Sequence, residues 1–188
     1  MIMMKQPSLA INSDDVPGPK YHMWQTIQAP RGVRALWTVN QILKANGDAR
    51  KFQDSPLANV VINCHGDPGT LWIGGVPDED GDAYGAIDDD VGVFRALKPH
   101  NIGTIWLVAC QAAKGAVGKE FCQQLATFSG CQVVASDEYQ EVGVWGTYRL
   151  LAGLHGQIDE FEGNVYRFTV TGGMQLIDPH EAIYSIKE

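Results

Sequence analysis

The chain has 188 residues, 45% of them hydrophobic, enough for one compact domain with a sizeable core. Lys and Arg number 14 against 22 Asp and Glu, a formal net charge of −8. Such a surface repels phosphate backbones and anionic headgroups, so neither nucleic acid nor membrane is an expected partner. No stretch approaches the roughly 20 apolar residues of a membrane span, and the first residues lack the apolar segment of a secretory signal. The expectation is a soluble cytoplasmic protein, with export by a route lacking a cleaved signal left open.

Residues 1–20 are polar and proline-bearing and read as a flexible N-terminal tail, with a single domain over 21–188. After Pro30 and Gly32, the segment VRALWTVNQILKANG places Val33, Leu36, Trp37, Ile42 and Leu43 near helical spacing, with Gly47 as the expected stop. Pro56 introduces LANVVINC, an apolar run that predicts a buried strand. His65-Gly66 and the turn Asp67-Pro68-Gly69 follow, and TLWIGG reads as the returning arm of a hairpin.

VPDEDGDAYGAIDDD is an acidic loop that leads into VGVFRALKPH, an expected helix with carboxylates before its N-terminus, where the macrodipole favours them. IGTIWLVAC is apolar in succession and reads as a second buried parallel strand. VGKEFCQQLATFSG predicts an amphipathic helix with Val117, Phe121, Cys122, Leu125 and Phe128 on one face. CQVVASD is a third strand, and GNVYRFTVTGGMQLI holds one or two more. Strands alternating with helices predict an α/β fold with a mostly parallel sheet.

In open parallel sheets, sites form beyond the carboxyl ends of strands. Three such ends carry polar or reactive groups here: Cys64-His65-Gly66, Ala109-Cys110-Gln111 and Ser136-Asp137-Glu138. If the first two strands are neighbours, an imidazole and a thiol meet across one cleft. Only the thiolate is a good nucleophile, and an adjacent imidazole can take the thiol proton or stabilise the thiolate. Main-chain N–H groups of Gly66 and Cys110 then become candidate donors to the negative charge on an attacked carbonyl.

An apolar strand ending in His-Gly, then a helix, then an apolar strand ending in Ala-Cys resembles the caspase–legumain–gingipain group (clan CD) of cysteine peptidases. The motifs are VVINCHG (60–66) and IWLVAC (105–110), within a similar stretch from Ala58 to Asp137. The resemblance implies a three-layer α-β-α sandwich with a mostly parallel sheet. It also implies His65 as base, Cys110 as nucleophile and acyl transfer through a thioester, with Gly66 helping to form the oxyanion hole. A substrate pocket near the loop after the third strand would involve Ser136 and Asp137, with Asp137 a candidate selector for a basic residue before the cut bond. Gln111 departs from the contexts of several branches, and no arginine set matches the aspartate-selecting pocket of caspases. The expected partner is a peptide or protein substrate; no cofactor or metal is called for, and oligomeric state is not legible.

Other polar residues read as structural. Cys64 should point away from His65 into the core by strand alternation, although a redox pair between Cys64 and Cys110 is the rival view. Cys122 and Cys131 sit in apolar contexts, and the pattern of four cysteines without CxxC or metal spacing predicts free thiols in a reducing compartment. Asp78, Glu79, Asp80 and Asp82 do not match a calcium loop and read as solvated. His22, His100, His155 and His180 show no metal spacing, and Trp37, Trp72, Trp106 and Trp145 read as packing residues. Two other functions fit the same residues: a non-catalytic binding or scaffold module with this fold, and a thiol amidase or deamidase acting on another substrate.

Overall fold

A computed structural model describes residues 1–17, 20–76, 85–140 and 156–180. Asp78, Glu79, Asp80, Asp82 and Trp145, read above as loop or packing residues, and His155, read as without metal spacing, lie outside the described residues. In chain order the first elements are β1 (Ile2–Met3), β2 (Ser8–Ser13), β3 (Gln25–Ala29), α1 (Ala35–Gln53), β4 (Asn59–Asn63), β5 (His65–Asp67), β6 (Thr70–Trp72) and β7 (Ala86–Ile87). A 3-10 helix (Asp89–His100) follows, then β8 (Thr104–Val108), α2 (Gly115–Ser129), β9 (Gln132–Ser136), β10 (Gln157–Ile158), β11 (Val165–Phe168) and β12 (Met174–Ile177).

Seven of these strands form one mixed sheet in the order β12-β11-β9-β8-β4-β2-β3. The run from β9 to β3 is parallel, and β11 and β12 add antiparallel at the β9 edge. Parallel neighbours need crossover connections; helical segments supply those from β3 to β4, from β4 to β8 and from β8 to β9. The central strands β4 and β8 are almost wholly buried, which is why their sequences are apolar in succession rather than alternating.

Helical elements cover one face of the sheet. There Ile42 of α1, Phe94 and Leu97 of the 3-10 helix and Leu125 of α2 pack with Val60, Ile62, Ile105 and Leu107 from the strands. On the other face Ile2, Met4, Tyr21, Met23 and Ile158 pack on Ala10, Val61, Trp106 and Val134. The layer on this second face is, among the described residues, the β1–β10 ribbon and its flanking loops. Trp106 is held there by its indole N–H, which donates to Asn59 Oδ1 at 2.9 Å, and by stacking on Phe161.

Three expectations are corrected. Residues 1–20 do not form a loose tail: β2 lies between β4 and β3, and all six of its residues are buried. Its polar side chains disguise it, because their hydrogen bonds are met inside the protein; the Ser8 hydroxyl donates to Lys5 O, Asn12 exchanges bonds with the main chain of Tyr21 at 3.0 and 2.9 Å, and the Ser13 hydroxyl donates to the Asp15 carboxylate. Helix α1 does not stop at Gly47 but runs on to Gln53 and ends at Asp54, whose φ of +50° is left-handed. Gly47 faces open space, so a glycine there is tolerated in the helix interior. The helix over VGVFRALKPH is present with the tighter 3-10 winding, and it contains Pro99, which lacks the N–H of an α-helical bond. No helix among the described residues is long and apolar enough to cross a membrane.

Candidate active site at two strand ends

β4 and β8 are hydrogen-bonded neighbours with Asn63 opposite Val108, and the Cys64 N–H donates to Val108 O at 3.3 Å, which carries the pairing one residue past the end of β4. Side chains alternate along each strand. Val60, Ile62 and Cys64 point to the helical face with Ile105, Leu107 and Ala109. Val61 and Trp106 point to the opposite face, and two steps of alternation on from each lead through Asn63 to His65 and through Val108 to Cys110. Both residues line one cleft of about 140 Å³. The expectation that these two strands are adjacent is met by the pairing itself.

Each member of the pair is held by main chain from a different loop. His65 Nε2 lies 3.4 Å from the carbonyl oxygen of Asp15, in the loop that leaves β2. Burial would raise the Asp15 carboxyl, but bonds from the Ser13 hydroxyl and the Val76 N–H, together with the charge of His65, outweigh it and hold the carboxyl below the usual range. Cys110 is half-buried, and its Sγ accepts the Gln140 N–H at 3.5 Å and lies 4.0 Å from Gln140 O. The next residue, Gln111, is buried in a left-handed conformation (φ +55°), which turns the chain sharply at the strand end. Its N–H donates to Glu138 O at 2.9 Å, and the Ala113 N–H donates to Ser136 O at 2.9 Å, so the loops after β8 and β9 are laced together.

Gly66 packs directly on the Cys110 main chain. A Cβ at position 66 would stand 2.7 Å from Cys110 O, 2.9 Å from Ala109 Cβ and 3.3 Å from Cys110 N. The glycine is therefore required by close approach of two backbones rather than by an unusual φ.

The other thiols belong to the core. All four cysteines are free, and Cys64, Cys122 and Cys131 are buried. Burial raises the thiols of Cys64 and Cys122 far above the ordinary range and pushes Cys131 up to about 11. The reading of Cys64 as core agrees with its place on the helical face, and a Cys64–Cys110 disulfide is absent.

Ser136 and Asp137 do not line the cleft. Ser136 is fully buried and its hydroxyl donates to Glu162 O. Asp137 accepts the Asn164 N–H at 2.9 Å, the Asn164 amide at 3.1 Å and the Tyr166 hydroxyl at 3.2 Å. Burial opposes its charge, but these bonds and Lys119 prevail and its carboxyl is lowered. Both residues thus pin the loop after β9 to β11 and its approach.

The carboxylates that do line the cleft come from Asp159, Glu160 and Glu162, and among the described residues no Lys or Arg lines it. Asp159 accepts the hydroxyl of buried Tyr21 at 3.2 Å, and Glu160 pairs with the Met1 ammonium at 2.7 Å. Burial, then the charge of Asp159, drives the Tyr21 phenol far above its usual range. Sequence reading missed Asp15, Tyr21, Gln140 and this acidic segment. A signal for Asp15 was present: SLAINS followed by Asp-Asp-Val-Pro-Gly is another short run with an apolar centre that ends in a turn. The segment 157–162 carries no motif, and only the fold brings it to the strand ends. Among the described residues, no group of three or more His, Cys, Asp or Glu side chains is arranged to hold a metal ion.

A family model described as a domain of unknown function (DUF4347) matches residues 37–145, more than half of the chain. The chain belongs to the DUF4347 family. The DUF4347 match spans α1 to the segment beyond β9, so it contains His65, Gly66, Cys110 and Gln140. Asp15 and the 159–162 carboxylates fall outside the DUF4347 region. No curated protein and no solved structure matches this chain significantly.

Proposed function

We propose that this chain is a cysteine peptidase of the caspase-like type, with Cys110 as nucleophile and His65 as base. One observation carries the proposal: neighbouring parallel strands deliver both side chains, in register and on one face, to a shared cleft. In the proposed cycle Cys110 gives its proton to His65 and the thiolate attacks a peptide carbonyl carbon. The N–H groups of Gly66 and Cys110 stabilise the oxyanion of the tetrahedral intermediate. The His65 imidazolium then protonates the leaving amine as the C–N bond breaks and a thioester remains. Water, deprotonated by His65, attacks the thioester, releases the carboxylic acid and returns the thiol. A reducing cytoplasm, the compartment proposed for it, keeps Cys110 as a thiol.

The size and charge of the cleft support a peptide side chain as its occupant. About 140 Å³ is well below the roughly 300–1,000 Å³ of sites that enclose a whole small molecule. Asp159, Glu160 and Glu162, with no Lys or Arg beside them among the described lining residues, favour a cationic side chain, so a basic residue before the cut bond fits, with these carboxylates in the role first assigned to Asp137.

The test is hydrolysis of a fluorogenic peptide library by the wild type and by Cys110→Ala and His65→Ala. Turnover lost in both variants, with Lys or Arg preferred before the scissile bond, is the expected result. A folded wild type that alkylates readily at Cys110 but cleaves no peptide in the library would replace this reading with the thiol amidase. Absence of both turnover and selective alkylation would point to a binding module.

A further inference from the structure

The loop that faces His65 is organised around an ammonium group. Lys20 Nζ stands 2.5 Å from Ser13 O, 3.0 Å from Val16 O and 3.3 Å from Asp14 O. An ammonium has three N–H donors, and here three main-chain carbonyls of one tight loop are gathered on them. The carbonyl left out is that of Asp15, and it lies 3.4 Å from His65 Nε2. The Asp15 side chain braces the same loop, accepting the Ser13 hydroxyl at 2.5 Å and the Val76 N–H at 3.2 Å. Gly75 fits tightly against that carboxylate, since a Cβ there would stand 3.2 Å from Asp15 Oδ2.

We propose that Lys20 is a positioning residue for His65: by drawing in the carbonyls of Ser13, Asp14 and Val16 it turns the Asp15 carbonyl onto the imidazole. A carbonyl can only accept, so a ring nitrogen bonded to it must carry the proton. Nε2 is therefore the N–H of the neutral ring, and Nδ1 is the free nitrogen that can take a proton from Cys110. Without the ammonium, three converging carbonyl dipoles repel one another and the loop opens. The inference rests on the reading of His65 as the base for its catalytic meaning, but the orientation of the ring can be read directly.

The experiment compares His65 ring nitrogen resonances, by long-range nitrogen–proton correlation spectra, in the wild type, Lys20→Met and Lys20→Arg, alongside the rate of Cys110 alkylation by iodoacetamide at neutral pH. The wild type should show a single tautomer protonated at Nε2. Lys20→Met should give mixed-tautomer shifts and slow alkylation about tenfold, the size of one lost hydrogen bond, while Lys20→Arg, which keeps the charge, recovers much of both. Unchanged His65 resonances in a folded Lys20→Met protein would overturn the proposal. If His65→Ala leaves alkylation unaffected, the base assignment fails, yet the ring resonances in Lys20→Met still decide whether Lys20 orients the ring. Should Lys20→Met not fold, Lys20→Gln, which keeps an N–H donor but removes the ammonium, replaces it, and an unmoved His65 ring there counts equally against the proposal.

Discussion

His65 and Cys110 leave two neighbouring parallel strands at the same level of the sheet and on the same face. This relationship follows from registry and not from any contact between the two side chains. Asn63 is opposite Val108, and two further residues along each strand reach the histidine and the cysteine. Each is then secured from outside the pair, His65 by the Asp15 carbonyl and Cys110 by the Gln140 main chain.

The four thiols should differ sharply in reactivity. Cys110 is half-buried at the cleft, whereas Cys64, Cys122 and Cys131 are 3%, 0% and 1% exposed. Mass spectrometry after brief treatment with iodoacetamide at neutral pH should find the label on Cys110 alone, and His65→Ala should slow that labelling at least several-fold. Equal labelling of all four in the native protein, indifferent to His65, would sink the proposed dyad.

Gly66→Ala should damage both stability and reactivity. The new methyl would overlap Cys110 O and Ala109 Cβ, both rooted in the main chain, so β5 must move away from the end of β8. Overpacking of this kind costs about 1–3 kcal/mol, and the shift carries His65 with it. A thermal melt and the Cys110 alkylation rate both read the change, and a variant matching the wild type in both would show that the two backbones are not in contact.

Charge at the cleft separates two sets of carboxylates. Asp159→Asn and Glu162→Gln should raise KM for peptides with Lys or Arg before the cut, by about tenfold for a charge-assisted contact, with little change for neutral peptides. Asp137→Ala should instead lower stability by about 1 kcal/mol, because it strands the Asn164 and Tyr166 donors at a partly exposed site. A specificity change in Asp137→Ala without loss of stability would restore Asp137 to the role expected from the resemblance.

Stability should fall on both sides of neutrality, for different groups. The carboxyls of Asp15 and Asp137 are lower in the folded chain than in the unfolded chain, so their contribution is present above about pH 4 and is lost as pH falls through their folded values. The Cys131 thiol is raised to about 11, so its contribution is complete below about pH 8.5 and is lost as pH rises toward 11. Melting temperatures across this range should show both flanks. Asp137→Asn should make the acid flank shallower, with Asp15 keeping the rest, and Cys131→Ala should do the same on the alkaline side, where Cys64 and Cys122 also contribute; parallel curves for variants and wild type would assign the flanks to other groups.

The strands β4, β8 and β9, helix α2 and the hairpin after His65 were legible because burial on both faces demands unbroken apolar runs, and because Asp-Pro-Gly has few conformations other than a turn. The pairing of a histidine and a cysteine at successive strand ends was legible for the same reason. β2 was not, since Ser8, Asn12 and Ser13 look like surface residues until their partners, Lys5 O, the Tyr21 main chain and the Asp15 carboxylate, are known. By itself the sequence determined which residue types end the strands. Only the tertiary structure decided which strands are neighbours, that Asp137 is occupied by Asn164 and Tyr166, that the Asp15 carbonyl meets His65, and that Asp159, Glu160 and Glu162 reach the cleft. Those are contacts between segments far apart in the chain, and local periodicity carries no record of them.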